Sequence, residues 1–317
     1  MPRSLRDNPA IVGAARIAVT IPCFNEARSI VATVQAFRKT LPAADIYVFD
    51  NASNDETASL ARGVGALVRY EPLRGKGNVV RRIFADVEAD IFVLADGDNT
   101  YDAASAPAMV RKLEEEGLDM VVGVRASEDP NAFRRGHRFG NRLLTGLVTK
   151  IFGQGQTDIL SGYRVMSRRF VKSFPTLSQG FEIETELAVH ALEIRAPVGE
   201  VATPYRARPE GSTSKLRTMQ DGMRILRLIA HLTRYERPLA FFGLAALFLG
   251  LSAVVLAIPV VLVYLETGLV PRLPTWMLAI ALAVLAALSF SVGLVLDTVT
   301  QGRREAKRLA YLSIPRR

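Results

Sequence analysis

The chain has 317 residues, 49% of them hydrophobic and 22% charged, with a net charge of +9 and a single cysteine. That length accommodates one large α/β domain or two smaller ones, and the apolar share exceeds what an ordinary soluble core requires. Cys23 alone excludes an internal disulfide and argues against a thiolate zinc site; His137, His190 and His231 are scattered, so metal ligation would fall to carboxylates.

In the N-terminal half, "RIAVTIP", "DIYVFD", "ALVRY", "DIFVLAD" and "DMVVGV" read as short buried strands. Between them lie apolar residues at helical spacing, as around residues 30–37 and 79–87. The alternation predicts a doubly wound parallel sheet, whose ligands sit beyond the carboxyl ends of the strands. The polar clusters fall there: "CFNE" after the first strand, "DNASNDET" after the second, "DGD" after the fourth. In the second cluster Ser53 and Glu56 have the spacing of a capping box, whereas Asp50 ends the strand itself and can accept hydrogen bonds from a base or ribose. "RGKGN", at residues 74–78, offers two glycines, Lys76 and a helix start: a diphosphate cradle or, lacking the full P-loop spacing, a solvated turn. In "IFVLADGDNTYD" a buried strand stops in Asp96, Asp98 and Asp102. These carboxylates serve either a turn, with Asp102 capping the next helix, or a divalent metal that Asp96 and Asp98 hold against a phosphorylated ligand.

The segment after the fifth strand is basic: Arg125, Arg134, Arg135, Arg138 and Arg142 can fork onto a phosphate or face lipid headgroups. "DILSG" follows with Asp158, Ser161 and Gly162, where Asp158 could equally cap a turn. "GFEIETELAVHAL" reads as a helix whose Glu182, Glu184 and Glu186 order the basic loop or are solvated; they receive no catalytic role. Arg208, Ser212, Ser214 and Lys215 in "RPEGSTSK" close over a diphosphate or simply connect. Leu216, Met219, Met223, Leu226 and Ala230 then share one helical face, with arginines away from its centre, which suits a membrane interface.

Residues 239–265 and 276–296 carry no charge, and each can cross a hydrocarbon layer of roughly 30 Å as a helix. Arg234, Arg237 and "RREAKR" flank them on the side away from the short connecting loop, so both termini are expected in the cytoplasm, and no secretory signal is expected before the first strand. The predicted division is a catalytic domain at 1–210, an interfacial amphipathic helix at 211–238, two transmembrane helices at 239–297 and a basic tail at 298–317. The expectation is an integral membrane protein meeting membrane lipids and no nucleic acid, with a homo-oligomer left open.

"IPCFNE", "FDNASNDET", "RGKGN" and "LADGDNTYD", in that order within one α/β region, resemble the family 2 glycosyltransferases, which have the Rossmann-like GT-A fold and a DxD metal motif. With "DILSGYRVMSRR", "RPEGSTSK" and two apolar runs, the chain is similar to the branch that makes polyprenyl-phosphate sugars, such as dolichyl-phosphate mannose or glucose synthases. The resemblance places Pro22, Asn25, Glu26, Asp50 and Lys76 at the donor nucleotide, and Asp96 on the nucleotide-sugar side of the motif. It makes Asp98 the principal ligand of Mg²⁺ or Mn²⁺, with Thr100 standing where many relatives have Gln, and Asn51 where many have a second Asp. Arg125 and Arg135 or Arg138 would meet the acceptor phosphate beside Ser161, leaving Asp96, Asp98 and Arg125 as the catalytic set.

The QxxRW motif of the processive relatives is absent. The implied activity is therefore inverting transfer of one hexose, from UDP- or GDP-hexose to polyprenyl phosphate at the cytoplasmic face. A phosphate acceptor is already anionic and needs no general base. A metal-dependent nucleotidyltransferase and a non-enzymatic membrane scaffold are the alternative classes.

Overall fold

Short β-branched runs bounded by Gly, Asn and Asp become strands, and the helical-period stretches between them return the chain across the sheet. A computed structural model describes residues 15–126, 146, 157–176, 180, 182–205, 234–235 and 237–315. It divides into two units: residues 307 onward join the N-terminal region in the first, and the apolar stretch up to residue 306 forms the second.

In the first unit, β1 (Ile17–Cys23), β2 (Asp45–Asp50), β3 (Leu67–Tyr70), β4 (Ile91–Leu94), β5 (Met120–Ala126), β6 (Arg164–Ser167) and β7 (Val198–Pro204) form one sheet in the order β3-β2-β1-β4-β6-β5-β7. β1 pairs in parallel with β2 and β4, so Cys23, Asp50 and the residues after Leu94 reach the same edge. The sheet is not wholly parallel as expected. β6 runs antiparallel between β4 and β5, placing Arg164 opposite both Leu94 and Val122.

The helices are α1 (Ile30–Thr40), α2 (Thr57–Gly63), α3 (Lys76–Asp86), α4 (Ala106–Glu115), α5 (Arg168–Ser173) and α6 (Ile183–Ile194). Strand side chains alternate between two cores. Val19, Ile21, Val93 and Val121 pack with Phe37 and Met109 on one face, and Ala18, Phe92 and Met120 pack with Ile83, Phe170 and Leu187 on the other. The capping box does not form. Ser53 Oγ accepts from the Asn25 amide, and Asp55 instead takes the Thr57 amide at the start of α2.

In the second unit, α7 (Pro238–Thr267) continues through Pro259, and α8 (Leu273–Leu312) lies in this unit up to residue 306. Each is long and apolar enough to cross a membrane, and only 11% of either apolar window is buried, which suits helices solvated by lipid better than core helices. Small residues let them approach: Ser289 Oγ donates to Phe242 O at 3.1 Å, and a methyl at Gly293 would lie 3.1 Å from Phe242 Cβ.

Of the basic segment 298–317, expected as a separate tail, residues 298–312 continue α8, and from Lys307 the chain belongs to the first unit. There Tyr311 donates its hydroxyl to the fully buried Asp119, and Lys307 pairs with Glu193 at 2.5 Å. Asp119 also receives both Nε and Nη2 of Arg169 and the Ser167 hydroxyl. Burial alone would raise its pKa, but these hydrogen bonds hold the carboxyl below its ordinary range. The interfacial helix expected at 211–238 lies almost entirely outside the described residues.

Candidate active site

The site forms where β1, β2 and β4 end. Gly97 follows β4 because nothing larger fits: a Cβ there would sit 2.5 Å from Cys23 Sγ. The next turn puts Asn99 at φ 58°, a left-handed conformation that Asn tolerates. It folds Thr100 back so that its amide (3.2 Å) and hydroxyl (2.6 Å) both donate to Asp98 Oδ1. Asp98 and Thr100 are thereby buried and fixed.

Asp96 is held from the other side. Lys76, the first residue of α3, places Nζ 2.5 Å from Asp96 Oδ1 and 2.6 Å from Glu184 Oε1. Burial opposes the lysine's charge, yet the two carboxylates more than offset it and raise its pKa, so the ammonium persists at every working pH. Glu184 Oε2 is buried with no hydrogen-bond partner among the described residues. A Cβ on Gly162 would lie 2.9 Å from both Asp96 Oδ2 and Lys76 Nζ, so this position must be a glycine for the pair to sit as it does. The Gly162 amide donates to Tyr101 Oη at 2.8 Å, closing the ring of contacts.

Cys23 lies beneath this cluster. Its thiol pKa is raised first by burial and then by Glu26, Asp50, Asp96 and Asp98, a measure of how much negative charge converges here. At β2, Asp50 Oδ2 accepts the Ser53 amide at 3.3 Å, while Oδ1 is buried without a partner among the described residues.

The other expected residues occupy several places. Pro22 lies within β1. Asn25 Oδ1 accepts the Asn54 amide, and the Glu26 amide donates to Thr57 Oγ1, so both knit the loops after β1 and β2 together. Arg125, at the end of β5, is clamped by Asp158 through Nε (2.8 Å) and Nη2 (2.7 Å) and lies 5.6 Å from the Tyr205 ring. Asp158 therefore acts as an ion-pair partner of Arg125, and Asp102 Oδ2 accepts the Ser105 hydroxyl at 3.1 Å. Ser161 is fully buried and donates to Gly123 O at 2.6 Å. Arg134, Arg135, Arg138, Arg142, Arg208, Ser212, Ser214 and Lys215 lie outside the described residues.

Two residues passed over in the sequence organise the site. Glu184 enters it from α6, and Arg164, buried in β6, donates to the carbonyls of Ile159, Ser161 and Glu184. Burial lowers the Arg164 pKa to about 10, and those carbonyls supply the hydrogen-bond acceptors that the fully buried guanidinium requires.

Residues 18–174 match the model of glycosyl transferase family 2. The glycosyltransferase AglJ of Haloferax volcanii is 36% identical over 229 residues, 72% of this chain and 75% of that one. The chain belongs to glycosyltransferase family 2. Membership supports the glycosyltransferase class over the scaffold and nucleotidyltransferase alternatives. A dolichyl-phosphate hexose transferase of Haloferax volcanii is 24% identical over 221 residues, covering 70% of this glycosyltransferase and 95% of that protein. Glucosyl-3-phosphoglycerate synthase from Mycobacterium tuberculosis, solved with Mn²⁺, UDP-glucose and phosphoglyceric acid, shares the GT-A fold at a TM-score of 0.57 and 23% identity, covering 69% of this chain and 79% of that one.

Proposed function

We propose that this glycosyltransferase moves one hexose from a UDP-sugar to a polyprenyl phosphate at the cytoplasmic face of a membrane, with inversion. The observation that carries the reading is the union, in one chain, of a family 2 glycosyltransferase region with two helices apolar enough to span a bilayer, which favours a lipid acceptor. The relationship to a dolichyl-phosphate hexose transferase supports the same acceptor class.

The donor follows from the ends of β2 and β4. The unpartnered Oδ1 of Asp50 can accept the one N–H that uracil presents between its two carbonyls. The bound UDP-glucose of the mycobacterial synthase supports that choice. Lys76 stands at the start of α3 as the cation for the diphosphate, and Glu184 Oε2 offers an acceptor to a sugar hydroxyl.

Asp96 and Asp98 are hard oxygen donors suited to Mg²⁺ or Mn²⁺. Among the described residues no group of three potential ligand side chains exists, and Asp96 and Asp98 are the residues that would hold the ion. When bound, the metal stabilises negative charge on the departing diphosphate. Arg125, fixed by Asp158, would orient the lipid phosphate together with Arg135 or Arg138. A phosphate oxygen then bonds to the anomeric carbon as the bond to the diphosphate breaks. No proton has to move.

The test is incubation of the full chain, in detergent with Mg²⁺ or Mn²⁺, with polyprenyl phosphate and a panel of UDP- and GDP-hexoses. A new lipid one hexose heavier, formed with a UDP-sugar and accompanied by UDP release, is expected. Product from GDP-sugars alone would overturn the donor assignment.

A further inference from the structure

We propose that Asn51 is the positioning residue for Lys76: its carboxamide clamps the loop that delivers the ammonium to the donor diphosphate. The inference rests on the UDP-sugar reading above. Asn51 directly follows β2, is 5% exposed, and is tied back to β1 by its amide, which donates to Cys23 O at 2.8 Å. Its side chain faces the segment between β3 and α3. Nδ2 donates to Glu71 O at 3.0 Å and Leu73 O at 2.7 Å, and Oδ1 accepts the Gly75 amide at 2.7 Å. Three hydrogen bonds from one side chain therefore fix residues 71–75, and the next residue is Lys76.

The other side-chain ties of this loop are local or peripheral: Glu71 Oε1 accepts the Leu73 amide at 2.8 Å, Asn78 Nδ2 donates to Arg74 O at 3.0 Å, and Arg74 lies 5.1 Å from the Phe24 ring. Leu73 is 55% exposed, and Gly75 adopts φ 123°, a conformation that favours glycine. The clamp needs an amide. A carboxylate has no hydrogen to give and would set two carbonyl oxygens against an anion; an apolar isostere would leave the buried backbone groups unpaired. Asn51 thus controls where α3 begins, and with it where Nζ stands between Asp96 and Glu184.

The test measures UDP and uridine dissociation constants for the full chain and its Asn51→Ala, Asn51→Asp, Lys76→Ala and Asn51→Ala/Lys76→Ala variants. Asn51→Ala should weaken UDP about tenfold, the effect of losing one charge-assisted hydrogen bond. Uridine binding should be unchanged, because uridine carries no phosphate for Lys76 to meet. Asn51→Asp should lose at least as much UDP affinity, and the double variant should bind UDP no worse than Lys76→Ala alone. Equal losses for UDP and uridine, or losses that add in the double variant, would overturn the clamp. Wild-type protein that binds neither ligand would instead refute the donor reading beneath it.

Discussion

Replacing Gly162 with Ala adds one methyl group at the point where the site is tightest. That carbon would lie 2.9 Å from Asp96 Oδ2, 2.9 Å from Lys76 Nζ and 3.3 Å from Tyr101 Oη. All three are side-chain ends, and Asp96 is 28% exposed, so the backbone can stay while the Lys76–Asp96 pair moves aside. A displaced charge-assisted hydrogen bond is worth about 1.5–3 kcal/mol, so transfer should fall about ten- to hundredfold. Global stability should change little. Gly123→Ala is the contrast, because its Cβ would press on Tyr163 Cδ1 at 2.8 Å and Thr203 Cγ2 at 3.2 Å inside the sheet. It should cost about 1–3 kcal/mol of stability while the folded fraction still binds UDP. Thermal melts in detergent, UDP titration and label transfer to lipid measure all three quantities. Wild-type transfer by Gly162→Ala, or a melting loss as large as that of Gly123→Ala, would refute the reasoning.

Asp98→Asn keeps an oxygen for the Thr100 amide and hydroxyl but removes the charge, so transfer should drop about a hundredfold or more with the melting temperature unchanged, and chelation of wild type should mimic it. His190 lies between Phe170 and Phe174, and burial, aided by Lys307, lowers its pKa to about 3. Because the unfolded imidazole titrates near about 6.5, the neutral ring stabilises the fold above that pH, and stability should fall by about 1.4 kcal/mol per unit on acidification below it. Denaturation at stepped pH should show this slope in wild type and its loss in His190→Phe. Tyr311→Phe, by removing a hydroxyl from buried Asp119, should cost about 1 kcal/mol in a thermal melt and leave UDP affinity intact; an unchanged melt would contradict the packing of the C-terminal turn.

Where local pattern determined structure, the sequence was legible. The first five strands, the carboxylates after β4 and the two apolar helices all appear as expected because each depends on residues near it in the chain. β6 does not read as a strand in the sequence: it spans only four residues, begins with Arg164 and is followed by Arg168 and Arg169, and Arg164 is buried because the carbonyls of Ile159 and Glu184 accept from it. That strand also changes the sheet from parallel to mixed. Glu184 lies 108 residues from Lys76, and its neighbours Glu182 and Glu186 made it look like part of a solvated face. The available signal was its place in "IETELAVHALEI", a helix otherwise almost entirely buried, where a carboxylate needs a partner. Ser53 and Glu56 matched a local capping pattern, but the long-range bond from the Asn25 amide to Ser53 took precedence.

The acceptor is the centre of the account, and the choice between a lipid phosphate and a lipid alcohol tests it most directly. The full chain, given the same UDP-hexose, should glycosylate polyprenyl phosphate and leave the matched polyprenol untouched, since only the phosphate brings its own nucleophilic anion. An α-linked donor should yield a β-linked lipid product, read from the anomeric proton coupling of the isolated material. Efficient transfer to polyprenol, or retention of the α configuration, would contradict the single displacement on a phosphate acceptor.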